Sequence, residues 1–382
     1  MNLKDVNKGT KIIVLITLLG FILRLLAAFH FQSESISLEY LGYDEAVYYS
    51  FADQMTKTSP FLYTLRDSPV FQDYMMWYLE KPLFHHPPLF VWLLYGWQSL
   101  FGDSIFASRL PNVILGSLTI FITYLIGRRL SENVGLLSAL FVSISPLNIQ
   151  QSALILMDNL LAMLGALFML STIWLSQKNA FRNVLLAGFF LGLGMWTKHL
   201  AVLASTFILV YMLYRKITAL DAVKVFCLAA LLFSPWLAWN QRVYGAPLSY
   251  ETWKILSSSY QVILPFHAYL TFLPVITPFS LLAYAALFRT RGDPLKTGLA
   301  AVFLSFLLFY SFLKGKEIRY ILPAMVPVSI LAADYIESMK EKNRRSFLVI
   351  TLTATAIAGY VVVKGGYYWY MPFWHYSRLF PF

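Results

Sequence analysis

One cysteine, Cys227, in 382 residues excludes an intramolecular disulfide framework and any cysteine-built metal centre. Charge is scarce as well: Asp, Glu, Lys and Arg make up 13% of the chain, about half of the ~25% usual in a soluble domain. Between Asn133 and Gln177 only Asp158 is charged. These deficits exclude a water-soluble globular enzyme. There is no tandem repeat of solenoid period and no low-complexity tract. What fills the chain instead is apolar, 58% hydrophobic and 17% aromatic, with a mean hydropathy of +0.62. The net charge of +11 would suggest nucleic acid in a soluble protein. Here the charges flank hydrophobic runs, so they report membrane topology and no nucleic-acid partner is expected.

The expected fold class is an all-α polytopic membrane protein. With about 20 residues per crossing, the sequence divides into about eleven spans, centred on 11–30, 105–127, 132–149, 154–176, 183–197, 199–214, 222–241, 266–288, 297–313, 319–337 and 346–364. Residues 1–364 form one transmembrane domain, and 365–382 an aromatic tail on the outer face that is either an interfacial belt or a cover over a substrate groove. Lys4, Lys8 and Lys11 precede an uncharged run without a convincing cleavage site, which reads as an uncleaved first helix. A cytoplasmic N-terminus puts more than half of the 30 Lys and Arg into short cytoplasmic loops, among them Arg128, Arg129, Arg215, Lys216, Arg344 and Arg345. A straight helix over 183–214 would overshoot the hydrocarbon, so a break at Lys198 is expected, at the outer face.

The outer side then receives residues 31–104, with two amphipathic patterns expected to lie along the membrane surface. The first begins at Asp44-Glu45 and continues through Val47, Tyr48, Phe51, Ala52 and Met55; the second is Phe71, Tyr74, Met75, Tyr78 and Leu79. Asp44 at a helix start reads equally as a cap and as a reactive carboxylate. The other isolated charges admit simple readings too. Asp158, expected a turn or two into its span, is a functional group or a solvated loop residue. Lys198 and Arg24 either snorkel to the headgroups or meet a partner, and snorkelling is the expectation for Arg24. Lys314, Lys316 and Arg319 run against the cytoplasmic bias and suggest an anionic ligand. His85 and His86 precede Pro87-Pro88 in an extended stretch. Adjacent histidines diverge, so a metal site would pair His86 with a distant ligand such as His267; the simpler reading is interfacial polarity. No cofactor is certain, and a divalent metal is left open.

Isolated carboxylates and cations next to hydrocarbon suit a lipid-linked phosphate substrate. In chain order, the boxes Gly42-Tyr43-Asp44-Glu45-Ala46, His86-Pro87-Pro88-Leu89, Phe101-Gly102 and Ser108-Arg109-Leu110-Pro111 resemble the GT-C class of membrane glycosyltransferases. Met157-Asp158-Asn159, Leu193 to Lys198 and Arg319-Tyr320-Ile321-Leu322-Pro323 continue the likeness, which is nearest to the branch of protein O-mannosyltransferases, aminoarabinose lipid A transferases and lipopolysaccharide-core galacturonosyltransferases. The resemblance implies transfer of a sugar from a polyprenyl- or dolichyl-phosphate carrier to a protein, lipid or glycan hydroxyl, on the outer face and with inversion. It implies catalytic roles for Asp44 and Asp158, and substrate-binding roles for Glu45, His85, His86, Lys198, Lys316 and Arg319. One box departs: relatives that act on lipid A carry Glu-Lys-Pro-Pro where this chain has His85-His86-Pro87-Pro88. No outer soluble domain is expected after the last span, so acceptor recognition is expected from the membrane part, the outer loops or a partner. The rivals are a secondary transporter or lipid-linked sugar flippase, which would commonly show repeated halves, and a scaffold with a decayed site.

Overall fold

A computed structural model describes residues 3–31, 43–57, 59, 62–68, 77–84, 86–250, 265–313 and 316–364. His85, Lys314, the aromatic tail and most of the second amphipathic pattern lie outside the described residues.

Polar caps written into the sequence set many of the helix ends. The chain runs through α1 (Leu3–His30), α2 (Tyr43–Lys57), α3 (Leu89–Phe101), α4 (Ile105–Gly127), α5 (Glu132–Ile144), α6 (Pro146–Ser152), α7 (Asp158–Gln177) and α8 (Phe181–Thr197). It continues as α9 (Thr206–Leu213), α10 (Ala219–Tyr244), α11 (Ala268–Ile276), α12 (Ser280–Ala286), α13 (Pro294–Phe312), α14 (Met325–Glu337) and α15 (Glu341–Lys364). Ser104, Ser131 and Thr218 each accept a backbone N–H three residues on, starting α4, α5 and α10, and Asp293 caps α13 with Pro294 at its first position. Gly245, at φ 75°, closes α10 in the left-handed conformation that glycine adopts freely.

No strand occurs among the described residues, in keeping with the expected all-α class. Among the described residues six stretches are long and apolar enough to cross a membrane: Gly9–His30, α4, α7, α10, α13 and Ile318–Glu337. The α5–α6 pair is long and apolar enough only when taken together, and it is bent by 57° at its break. Pro146 explains the bend, since it has no N–H for the preceding turn and Ser145 before it is extended. The break expected near Lys198 is present: α8 ends at Thr197, Lys198 is extended, and a 3-10 run from His199 to Ser205 leads into α9.

The largest apolar core draws on α4, α5, α7, α8 and the C-terminal helices, and a second gathers α2 and α3 over the start of α7. Leu15, Leu18, Leu19, Ile22 and Leu26 of α1 stay exposed, as do Ile350, Ile357 and Tyr360 of α15. These are the outward faces of a bundle whose solvent there is hydrocarbon. Where α8 meets α10, Gly188 and Gly192 let the backbones approach; a Cβ on Gly188 would lie 2.8 Å from Leu228 Cβ. Gly188→Val is expected to cost about 1–3 kcal/mol through overpacking. An unchanged thermal midpoint in detergent would show that the two helices separate there at no cost.

The two ends of the bundle differ chemically. One is laced by Arg129–Gln177, Asn133–Glu337, Asn179–Asp221 and Lys296–Asp334 contacts, and carries the short basic loops. The start of α4, the α6–α7 connection, the end of α8 and the Glu317–Arg319 segment meet at the other.

Candidate active site

Glu45 is the anchor of that second end. Both its oxygens accept from Arg109, at 3.2 Å from Nε and 3.2 Å from Nη2, and Oε1 also takes the Ile155 N–H at 2.8 Å. Arg109 donates its third nitrogen, Nη1, to Phe31 O at the end of α1. Both side chains are completely buried. A buried guanidinium and carboxylate in fork geometry satisfy each other's charge and hydrogen bonds, so the pair pins α2 to α1, α4 and the α6–α7 connection. Asn112 Nδ2, one turn beyond Arg109, holds the same connection through Leu154 O and, at 2.8 Å, Leu156 O.

With Glu45 fixed, its neighbour Asp44 in the first turn of α2 faces outward, its side chain 24% exposed, and pairs with Arg319 Nη2. Arg319 Nε lies 2.6 Å from Glu317 Oε2, so one guanidinium is shared by two carboxylates. Asp158 is the first residue of α7, not a turn or two inside it. Its Oδ1 lies 3.7 Å from Lys198 Nζ, and both side chains are largely buried. Asp158 is thus neither solvated nor alone, and Lys198 is drawn to a carboxylate instead of snorkelling.

Tyr320 joins the two pairs. Lys198 Nζ sits 4.5 Å and the Arg319 guanidinium 5.5 Å from its ring centroid, where the ring quadrupole favours cations. Its hydroxyl donates to Glu317 Oε1 at 3.0 Å, and Tyr310 stacks on its ring at 5.0 Å. Tyr269 OH holds the Glu317 carbonyl at 2.8 Å. Beside Asp44, burial and then the Asp44 charge push the Tyr48 phenol well above its ordinary range, so it remains a donor. Burial pulls the Lys316 ammonium below its usual value.

The structure therefore gathers Asp44, Asp158, Lys198 and Arg319 of the expected site, with Lys316 three residues from Arg319. His86 lines an aromatic pocket with Tyr48, Phe51 and Tyr63 and stands 5.0 Å from the Tyr250 ring. His267 is exposed at the start of α11. Among the described residues no three His, Cys, Asp or Glu side chains are placed to hold a metal ion, and each carboxylate of the cluster already faces a cation. No local sequence pattern marks a role for Glu317 or Tyr320, whose neighbours are ordinary. For Arg109 a signal was there, because it is the sole charge between Asp103 and Arg128.

Residues 85–239 match the family described as dolichyl-phosphate-mannose-protein mannosyltransferase. Among solved structures, that of ArnT from Cupriavidus metallidurans bound to undecaprenyl phosphate superposes with a TM-score of 0.66 at 15% identity, covering 88% of this chain and 62% of that one. The archaeal oligosaccharyltransferase AglB of Archaeoglobus fulgidus, with an inhibitory peptide and a dolichol-phosphate, gives 0.65 at 14% identity, covering 95% and 56%. The chain therefore shares the fold of these two structures. In sequence the chain is similar to aminoarabinose transferases, and over residues 85–239 to the protein mannosyltransferase family, in line with the ordered boxes. An undecaprenyl phosphate-aminoarabinose arabinosyl transferase of Sodalis glossinidius is 30% identical over 293 residues, 70% of this chain and 51% of the relative. That of Pseudomonas fluorescens is 27% identical over 299 residues, 71% and 50%. The chain spans about half the length of these curated relatives.

Proposed function

We propose that this chain transfers a sugar from a polyprenyl-phosphate carrier to a hydroxyl acceptor, with inversion at the anomeric carbon. The observation that carries the reading is the pairing of Asp44 with Arg319 and of Asp158 with Lys198 at one end of an apolar bundle. Both relatives named above are called undecaprenyl-phosphate sugar transferases, and the two solved neighbours hold a lipid phosphate. The opposite end of the bundle bears the short basic loops, which supports a site on the outer face with the N-terminus cytoplasmic. The shorter apolar helices, α3, α8, the run His199–Leu213 and Ser280–Arg289, are candidates for the remaining crossings among about eleven. By its modest amphipathicity and place beside the charged cluster, α2 is read as the juxtamembrane helix.

Before donor binds, Arg319 neutralises Asp44 and Lys198 neutralises Asp158. The carrier phosphate is a competing partner for both cations. As it takes Arg319 and Lys198, the Asp44 carboxylate is released to accept the proton of the attacking hydroxyl, while the cations stabilise charge growing on the departing phosphate. Asp158 is the alternative base. Glu45 has no free oxygen in this arrangement and acts by holding Asp44 in place.

The test is whether the purified chain consumes a polyprenyl-phosphate sugar in detergent and releases the free carrier phosphate. Movement of intact donor across a vesicle membrane without its consumption would instead favour a flippase. Lys198→Gln is expected to weaken binding of undecaprenyl phosphate by about tenfold or more, the loss of one charge-assisted contact. Equal affinity in titrations of wild type and variant would remove Lys198 from the phosphate site.

A further inference from the structure

Arg24 takes no part in the chemistry described above, yet it is among the largest fully buried side chains of the protein. Expected to snorkel from α1 to the headgroups, it instead turns inward. All four of its hydrogen bonds go to neutral oxygens: Gly20 O at 3.0 Å, Val142 O at 2.9 Å, Ser143 O at 3.1 Å and Ser152 Oγ at 3.2 Å. An ionised group in hydrocarbon is costly, and these partners define what the cost supports.

Val142 O is the carbonyl that would ordinarily accept from the residue four positions on. That residue is Pro146, which has no N–H to give. Arg24 thus supplies the donors that the α5–α6 break removes, at a helix C-terminus where a cation is favoured. Its Nε reaches Ser152 at the far end of α6. Ser152 Oγ in turn points its one proton between Asn148 O, at 2.6 Å, and Asn159 Oδ1, at 3.1 Å, and Asn159 Nδ2 donates to Gln151 O at 2.7 Å. The end of α5 and the far end of α6 are therefore tied to one guanidinium. What α6 carries next is the connection 153–157, whose Ile155 N–H binds Glu45 and whose end presents Asp158. Room for the arrangement is made by glycine. A Cβ on Gly116 would overlap Ser152 Oγ and lie 3.0 Å from Arg24 Nε, and one on Gly20 would lie 3.1 Å from Arg24 Nη1.

We propose that Arg24 is a positioning residue: by clamping α6 from α1 it fixes the 153–157 connection, and through it the placement of Asp158 and of the Glu45 anchor beside Asp44. The inference rests on reading Asp44 and Asp158 as parts of the active site. It concerns the geometry of the connection, which can be read without any activity.

The full chain in detergent, as wild type, Arg24→Lys and Ser152→Ala, would be followed by amide hydrogen exchange over 153–157 and by titration with undecaprenyl phosphate. Arg24→Lys keeps the charge but loses the fork; Ser152→Ala keeps the fork on α5 and cuts only the link to α6 and Asn159. Both are expected to speed exchange at 153–157 by about tenfold, the equivalent of one buried charge-assisted hydrogen bond, and to weaken phosphate binding in step. The basic end of the bundle, probed at the start of α5, should exchange as in wild type. Unchanged exchange over 153–157 in Ser152→Ala would overturn the proposal, as would exchange rising equally at both ends in Arg24→Lys, the mark of general loosening. A wild type that fails to bind undecaprenyl phosphate would undo the functional reading, while the exchange comparison would still decide the role of Arg24.

Discussion

Asp44→Asn is expected to lower sugar transfer by about 10²- to 10⁴-fold, the usual contribution of a general base, with insertion and thermal midpoint close to wild type. The substitution keeps the size of the side chain and removes its charge and basicity. Asp44 is part-exposed and its partner Arg319 keeps Glu317 at 2.6 Å, so the fold loses little. The buried anchor, Glu45 with Arg109, is untouched. Measurement in detergent of product formed from a polyprenyl-phosphate sugar, with Asp158→Asn in parallel, separates the two carboxylates. If Asp158→Asn is the more damaging and Asp44→Asn turns over near the wild-type rate, the base is Asp158 and Asp44 serves only to balance Arg319.

The second large effect is on stability. Arg109→Met should cost about 3–5 kcal/mol, because it leaves the Glu45 carboxylate buried without its cation. At the same time Phe31 O loses a donor, so the end of α1 loosens with α2. Replacing both members is a different experiment. Glu45→Met with Arg109→Met removes both charges and is expected to recover most of the loss, since a buried ion pair is often no more stable than apolar residues of similar volume. Recovery should stay incomplete, as the Ile155 N–H is then left buried and unsatisfied, at about 1–3 kcal/mol. Thermal unfolding in detergent, read by loss of the monodisperse peak, checks both variants. A double variant no more stable than Arg109→Met alone would mean that the pair holds α2 by shape and hydrogen bonding, and that charge compensation is secondary.

Both predictions concern a cluster that was partly legible in the chain. Asp158 and Lys198 stood out because each is a lone charge in a long uncharged stretch, and hydrocarbon makes lone charges expensive wherever they occur. Arg319 stood out because it breaks the cytoplasmic bias of basic residues. By the same rule Arg109 was visible, although only its box, and not its role, was read. Glu317 and Tyr320 were hidden among ordinary neighbours of Arg319. Their parts follow from ring and carboxylate positions that no local pattern encodes. Arg24 is visible as a charge but its burial is not, because snorkelling and burial begin from the same sequence and differ only in what α5 and α6 place beside α1.

For this protein, then, the opening pair Asp44-Glu45 marks the boundary between the two kinds of information. Sequence alone determined that the chain is helical and lives in a membrane, because hydrocarbon forces backbone polar groups to pair within each segment and leaves charge only where it has a use. It also determined where several helices start and stop, since Ser, Thr, Asp, Pro and Gly act within a few residues of themselves. The division of labour between two adjacent carboxylates is a long-range matter. Glu45 is turned inward by Arg109, 64 positions away, and by Ile155, 110 positions away, while Asp44 is turned toward Arg319, 275 positions away. Only the packed bundle decides that, because a charge chooses its partner by distance in space.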